Sequence, residues 1–345
     1  KSVLDEININ ENNQIISKYN DLFNKNSKGI DINDFYNDLN ENGLIDKFYN
    51  SISDIDKLYA RGQVGVVEHG IEHVERVMLY SMHMGKQLNL SDYDMNLLIE
   101  AAKYHDIGVY NGHKNHSMLS AQEVYQNLSS KYPTSELNKI AAIVEYHELP
   151  ELSKQFENIL SENNISLSRN NKLSNVLNSI DSASKAKVER LLKNISADVD
   201  LNTIDVYDCK LIFDSIDDRQ YFNLMTKYHI PIGEQLGVRN IANILKDADA
   251  IDRTRFMKNL DTSYFRNKEV ADNLVKTSYQ MQEIHAKVSL DDIIKKNSDL
   301  NTIQLINKYR NLNVPDYVIY FSLKTWNLWK VGYSSVESMI ETWMK

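Results

Sequence analysis

His105 and Asp106 stand side by side in the string IEAAKYHDIGVYNGHKNHS, and imidazole and carboxylate donors suit zinc, iron, manganese and similar divalent ions. Adjacent side chains on a helix point about 100° apart, so both can reach one ion only at a helix end or between helices. Further donors lie upstream in HGIEHVERV and downstream in EYHELP and KDADAIDR, and seven of the nine histidines fall between His69 and His147. His73, His105, Asp106, His116, His147 and Asp249 come from five segments, more donors than one structural ion needs. The set fits a two-metal centre with Asp106 as the bridge and His105 and Asp106 as the catalytic pair. Two ions about 3.5–4 Å apart can polarise a phosphoryl oxygen, generate hydroxide at neutral pH and stabilise a leaving oxygen. Rivals stand close by: His69 precedes His73 by one helical turn, His113 precedes His116, and Asp247 and Asp252 flank Asp249. Asp247 is expected to face solvent, and Asp252 to orient a ligand or pair with Arg253.

Helices must carry these donors. Eleven Gly and four Pro in 345 residues fall well below the average usage of about 7% and 5%, which favours an all-α chain over a sandwich or barrel. Val74, Val77, Met78, Ser81, Met84 and Leu88 follow the spacing of a buried helical stripe. Ser91, with Asp94 three residues on, reads as the N-cap of a helix that ends at the His105-Asp106 doublet. Ile140, Ile143, Val144 and His147 share a third helix, punctuated by Pro150, and Ile241, Ile244, Leu245 and Ala248 a fourth. Residues 1–60 read as an N-terminal helical extension with a loop near NKNSKGID. Residues 151–235 read as a mainly helical insertion with a short strand at VYDCKLIF. Residues 271–345 read as a C-terminal helical region carrying all three Trp.

Composition narrows the function. Net charge is −9, which argues against sequence-independent binding to a nucleic-acid polymer, since that relies on Lys and Arg releasing counterions. Cys209 is the only cysteine, so neither an intramolecular disulfide nor a thiolate zinc site is expected. No apolar run approaches the length of a membrane span, and the first residues lack a signal-peptide core. A cytoplasmic location with no membrane partner is the expectation. Lys at position 1 leaves upstream sequence, a targeting signal or another domain included, open.

The order His…His-Asp…His…His…Asp resembles the HD-domain superfamily of metal-dependent phosphohydrolases. His73-Val-Glu-Arg76-Val77 is similar to that family's His-x-x-Arg-Val motif, and Tyr104-His105-Asp106-Ile107-Gly108 to its central doublet with Ile-Gly. His116-Ser-Met-Leu-Ser120-Ala121 resembles the His-Gly-x-x-Ser-Ala segment of one subgroup, with Ser117 in place of Gly. Lys246-Asp-Ala-Asp249-Ala-Ile-Asp252-Arg253 resembles the closing Asp-Ala-Asp-x-Leu-Asp motif. The resemblance favours His73 over His69 and His116 over His113. It implies an all-helical bundle formed by residues 61–150 and 236–270. Val109 departs from it, because many relatives carry Lys or Arg after Ile-Gly; a phosphate contact made there is absent or comes from elsewhere.

The function this implies is hydrolysis of a small phosphate ester, a nucleotide or cyclic nucleotide first, by a metal-activated hydroxide. One or two divalent ions are expected, with Mn, Fe, Zn, Ni, Co and Mg all admissible. Arg76, His69, His113, Lys114, Arg253 and Arg255 are the candidate substrate contacts, because guanidinium and ammonium groups match phosphate oxygens. Two other classes compete: a di-iron oxygenase on the same ligand set, and a non-catalytic ligand-sensing or interaction module.

Overall fold

The computed structural model describes residues 29–59, 70–111, 114–196, 199–256, 260–296, 299–328 and 334–343. Gly29 opens the described chain at φ +145°, and a Cβ there would lie 2.4 Å from the Asn273 carbonyl oxygen. Ile30 donates its N–H to that carbonyl at 3.0 Å. The Asp31 side chain then caps α1 (Ile32–Glu41) by accepting from Asn33 and Asp34. Next come α2 (Leu44–Tyr59), α3 (Ile71–Gln87) and α4 (Asp92–Tyr104). Ser91 caps α4 reciprocally, accepting from the Asp94 N–H and donating to its carboxylate. A 3-10 turn (Ile107–Asn111) leads to α5 (His116–Leu128) and α6 (Thr134–Tyr146).

These helices pack around α3, in which every residue from His73 to Gly85 is buried, as expected of a helix surrounded by others. The same core takes in α11 (Ile232–Ile251), α12 (Lys268–Lys295), α13 (Leu300–Asn311), α14 (Asp316–Leu328) and α15 (Val336–Trp343). The all-α expectation holds: no strand occurs among the described residues. None of their helices is long and apolar enough to cross a membrane.

A second, smaller core lies within the expected insertion. It joins α7 (Leu152–Glu162), α8 (Leu173–Ser179), α9 (Ser182–Leu192) and the first half of α10 (Val206–Lys227) around Phe156, Val188 and Phe213. Residues 206–213, expected as a strand, instead open α10. Their β-branched and aromatic content suggested extension, but Asp205 caps the segment, and Val206, Cys209 and Phe213 recur at helical spacing on the buried face. The second half of α10 places Leu224 and Met225 in the larger core, so one helix runs through both.

Candidate metal centre

Five helix ends meet where the donors collect, and the first turn of α3 brings His73. His105 and Asp106 follow the last turn of α4, whose Lys103 carbonyl accepts from the Tyr59 hydroxyl of α2 at 2.9 Å. The 3-10 turn after the doublet lies directly on the start of α5. At Gly108 a Cβ would meet the His116 carbonyl oxygen at 2.4 Å and the Ser120 nitrogen at 2.7 Å. The Gly108 N–H donates to the Ser120 hydroxyl at 2.8 Å, which fixes the doublet against the helix bearing His116. His147 caps the C-terminus of α6, and Asp249 lies in the last turn of α11.

The two carboxylate oxygens of Asp106 face different histidines. Oδ2 lies 3.1 Å from His73 Nε2 and 3.5 Å from His105 Nε2. Those two nitrogens are 3.2 Å apart, and Asp249 Oδ1 approaches His73 Nε2 at 3.3 Å. Oδ1 lies 3.3 Å from His116 Nε2 and 3.7 Å from His147 Nε2. Glu148 Oε1 stands 3.9 and 3.8 Å from the same two nitrogens. The six expected ligands are thus brought together as two groups that share Asp106. Glu148 joins them although only its adjacency to His147 hinted at it.

The donor set fits divalent ions. Nitrogen and oxygen donors about 2.0–2.2 Å from one ion would stand about 3 Å apart, close to the spacings around Oδ2. Ring tautomers agree: His105 Nδ1 donates to the Ala102 carbonyl at 2.8 Å, His147 Nδ1 to Val144 at 2.5 Å, and His73 Nδ1 to Asp252 at 2.7 Å. This leaves the Nε2 lone pairs of His105 and His147 facing the centre, and that of His73 once its second proton is released. His147 Nε2 is buried there without a hydrogen bond. With His73 neutral, Asp106, Asp249 and Asp252 outnumber the nearby guanidinium groups of Arg76 and Arg255, an imbalance that a proton on His73 or a bound cation would offset.

Proton affinities report this field. Burial and Arg255 push the His73 pKa down, but Asp106, Asp249 and Asp252 outweigh them and raise it to about 9. Burial holds His105 down at about 4 in spite of Asp106. His147 is raised, because the attraction of the Asp106 carboxylate, 3.7 Å away, outweighs burial. Asp249 and Asp252 stay well below the ordinary carboxylate range; burial opposes this, and His73 with Arg76 supplies most of the compensation at Asp252.

Asp252 takes more than one partner. It accepts two bonds from Arg76, at 2.7 and 2.9 Å, one from Gln282 at 3.0 Å and one from His73. It therefore orients His73, and its arginine is Arg76 rather than Arg253. Asp247 does not face solvent. It is fully buried and accepts from the backbone N–H groups of Arg266 and Asn267, holding the turn that starts α12, and burial raises its pKa.

The expected substrate contacts separate. Arg76 and Arg255 are buried and line a small cavity with Glu72, Gln282 and His285. Lys114 is exposed, and His69 and His113 lie outside the described residues. Arg253 lines a cleft of about 400 Å³ together with His147 and Asp249. Three further cations border that cleft: Lys154, Lys246 and Arg266. Sequence reasoning had not singled them out, because their convergence depends on contacts between helices distant in the chain.

Residues 70–196 match the family model described as HD domain. The match contains His73, His105, Asp106, His116 and His147, extends into the smaller core, and ends before Asp249. No curated protein and no solved structure matches the chain.

Proposed function

We propose that this chain, which carries an HD domain over residues 70–196, is a metal-dependent hydrolase of a small phosphate ester, with a nucleotide or cyclic nucleotide as the leading substrate. The observation that carries the reading is the division of Asp106, one oxygen toward His73 and His105 and the other toward His116 and His147. His73, His105, Asp249 and Asp106 Oδ2 would hold one divalent ion, and His116, His147 and Asp106 Oδ1 a second. Bound there, such ions would polarise a phosphoryl oxygen and lower the pKa of water to supply a nucleophile at neutral pH.

The protein's own groups prepare that chemistry. Asp252 fixes the His73 ring, and the Ala102 and Val144 carbonyls fix His105 and His147, so little reorganisation is left for the reaction. The cleft beside Asp249 and His147 has the volume of a small ligand site. Its four cations, Lys154, Lys246, Arg253 and Arg266, exceed the lining carboxylates Glu148, Glu151 and Asp249 by one, which supports an anionic substrate over a neutral one.

Metal analysis of the purified protein, followed by a panel of phosphomonoesters and phosphodiesters with that metal, tests the reading. Metal-dependent phosphate release under anaerobic conditions, lost in Asp106→Ala and His105→Ala variants that remain folded, is the expected result. Full activity in either variant would overturn it. Oxygen uptake by an iron-loaded sample without phosphate release would replace it with the oxygenase reading.

A further inference from the structure

Two of the four cations around the cleft already have carboxylate partners. Lys246 donates to the Leu149 carbonyl at 2.6 Å and lies 3.8 Å from Glu151, and burial pushes its pKa down to about 8. Arg266 pairs with Glu151 and, at 3.3 Å, with Asp247. The side chains of Lys154 and Arg253 border the same cleft and make no ion pair or hydrogen bond among the described residues. The cleft also holds Glu148 and Glu151, but Glu151 is taken up by Lys246 and Arg266, which leaves half-buried Lys154 and exposed Arg253 as the cations open to an incoming anion.

We infer that Lys154 and Arg253 are the phosphate-binding residues of this chain and that the substrate presents a terminal phosphomonoester. The inference rests on the hydrolase reading and names the ligand chemistry of that site. Arg253 follows directly on Asp252, so its backbone is tied to the group that orients His73. Lys154 comes from the smaller core, in the first turn of α7, and that turn is anchored. Asp217 of α10 accepts from the Leu152 and Ser153 N–H groups, both at 2.9 Å, and the Ser153 hydroxyl donates to Asp214 at 2.5 Å. The position after Ile107-Gly108 cannot contribute, because Val109 is apolar and buried. A monoester carries about −1.5 to −2 charge at neutral pH, which matches two cations, whereas a diester carries a single charge.

The test uses the full chain loaded with its own metal. Inorganic phosphate binding is followed by titration calorimetry, and hydrolysis of p-nitrophenyl phosphate is compared with that of bis(p-nitrophenyl) phosphate. Lys154→Ala and Arg253→Ala should each weaken phosphate binding about ten-fold, the loss of one charge-assisted hydrogen bond. Each should raise KM for the monoester by a similar factor with metal content unchanged. Lys154→Gln, which keeps most of the side chain, should behave like Lys154→Ala. Lys187→Ala on α9 removes an equal charge away from the cleft and should change nothing. Phosphate affinity within two-fold of the parent in both alanine variants would overturn the clamp. A parent protein that prefers the diester would overturn the substrate class. If neither ester is hydrolysed but phosphate binding still depends on Lys154 and Arg253, the hydrolase reading fails and the anion site stands.

Discussion

On the Oδ2 side of Asp106 the donors stand 3.1–3.5 Å apart, His73 is braced by Asp252, and Arg76 and Gln282 hold Asp252 in turn. On the Oδ1 side the spacings open to 3.3–3.9 Å, and Glu148 is half-exposed. The inner half is held by side chains from α3, α4, α11 and α12, whereas the outer half relies on two helix ends and a carboxylate at the cleft. Preorganisation lowers what binding must spend on ordering groups. Under the two-ion reading proposed above, the contrast predicts tighter binding at the inner half than at the outer half.

Asp106→Ala is the largest test, because it removes the group common to both halves. Elemental analysis should find no bound ion and assays no turnover; one retained ion would show that the halves are independent. His73→Ala and His116→Ala split the centre. The first should leave no tightly bound ion, and the second should leave one, so equal metal content in the two variants would abolish the distinction. Asp252→Asn should weaken the inner ion about 10–100-fold in competition with a chelator and leave the outer ion within a few-fold.

The pH dependence of metal binding follows in size. His73 is raised from 6.5 to about 9, so the metal-free folded state holds its proton more tightly than the unfolded chain does. That proton stabilises the metal-free fold fully below pH 6.5, and the contribution is lost as pH rises through about 9. An inner ion must displace it, so apparent affinity should rise about ten-fold per pH unit and level off above His73's pKa. His105, held at about 4, should release no proton at neutral pH. Calorimetry in buffers of different ionisation enthalpy counts the released protons, and a pH-independent affinity would remove His73 from the inner half. The smallest effect is expected of Glu148→Gln, a few-fold weakening of the outer ion alone.

Much of this centre was legible in the sequence. Helical spacing placed α3, α4, α6 and α11, and the clustered histidines marked the chain segments that converge. The link between Gly108 and Ser120 gives the short motifs a physical reason, since each lets the other approach. Other features depended on distant contacts. Asp247 lies between residues that suggest an exposed helical face, and nothing nearby announces the turn at Arg266 and Asn267 that buries it. Lys154 sits in an ordinary polar string, and only the packing of α7 against α10 brings it to the cleft. Residues 206–213 misled through composition, because their strand-favouring side chains sit at helical intervals on a buried face.

The passage of α10 through both cores bears on how such a protein can be altered. Phe156, Val188 and Phe213 pack separately from the residues around α3. Yet α7 takes its direction from Asp214 and Asp217 on the same helix that enters the larger core. The wall of the cleft that carries Lys154 thus belongs to one core, while its alignment is set by a helix rooted in the other.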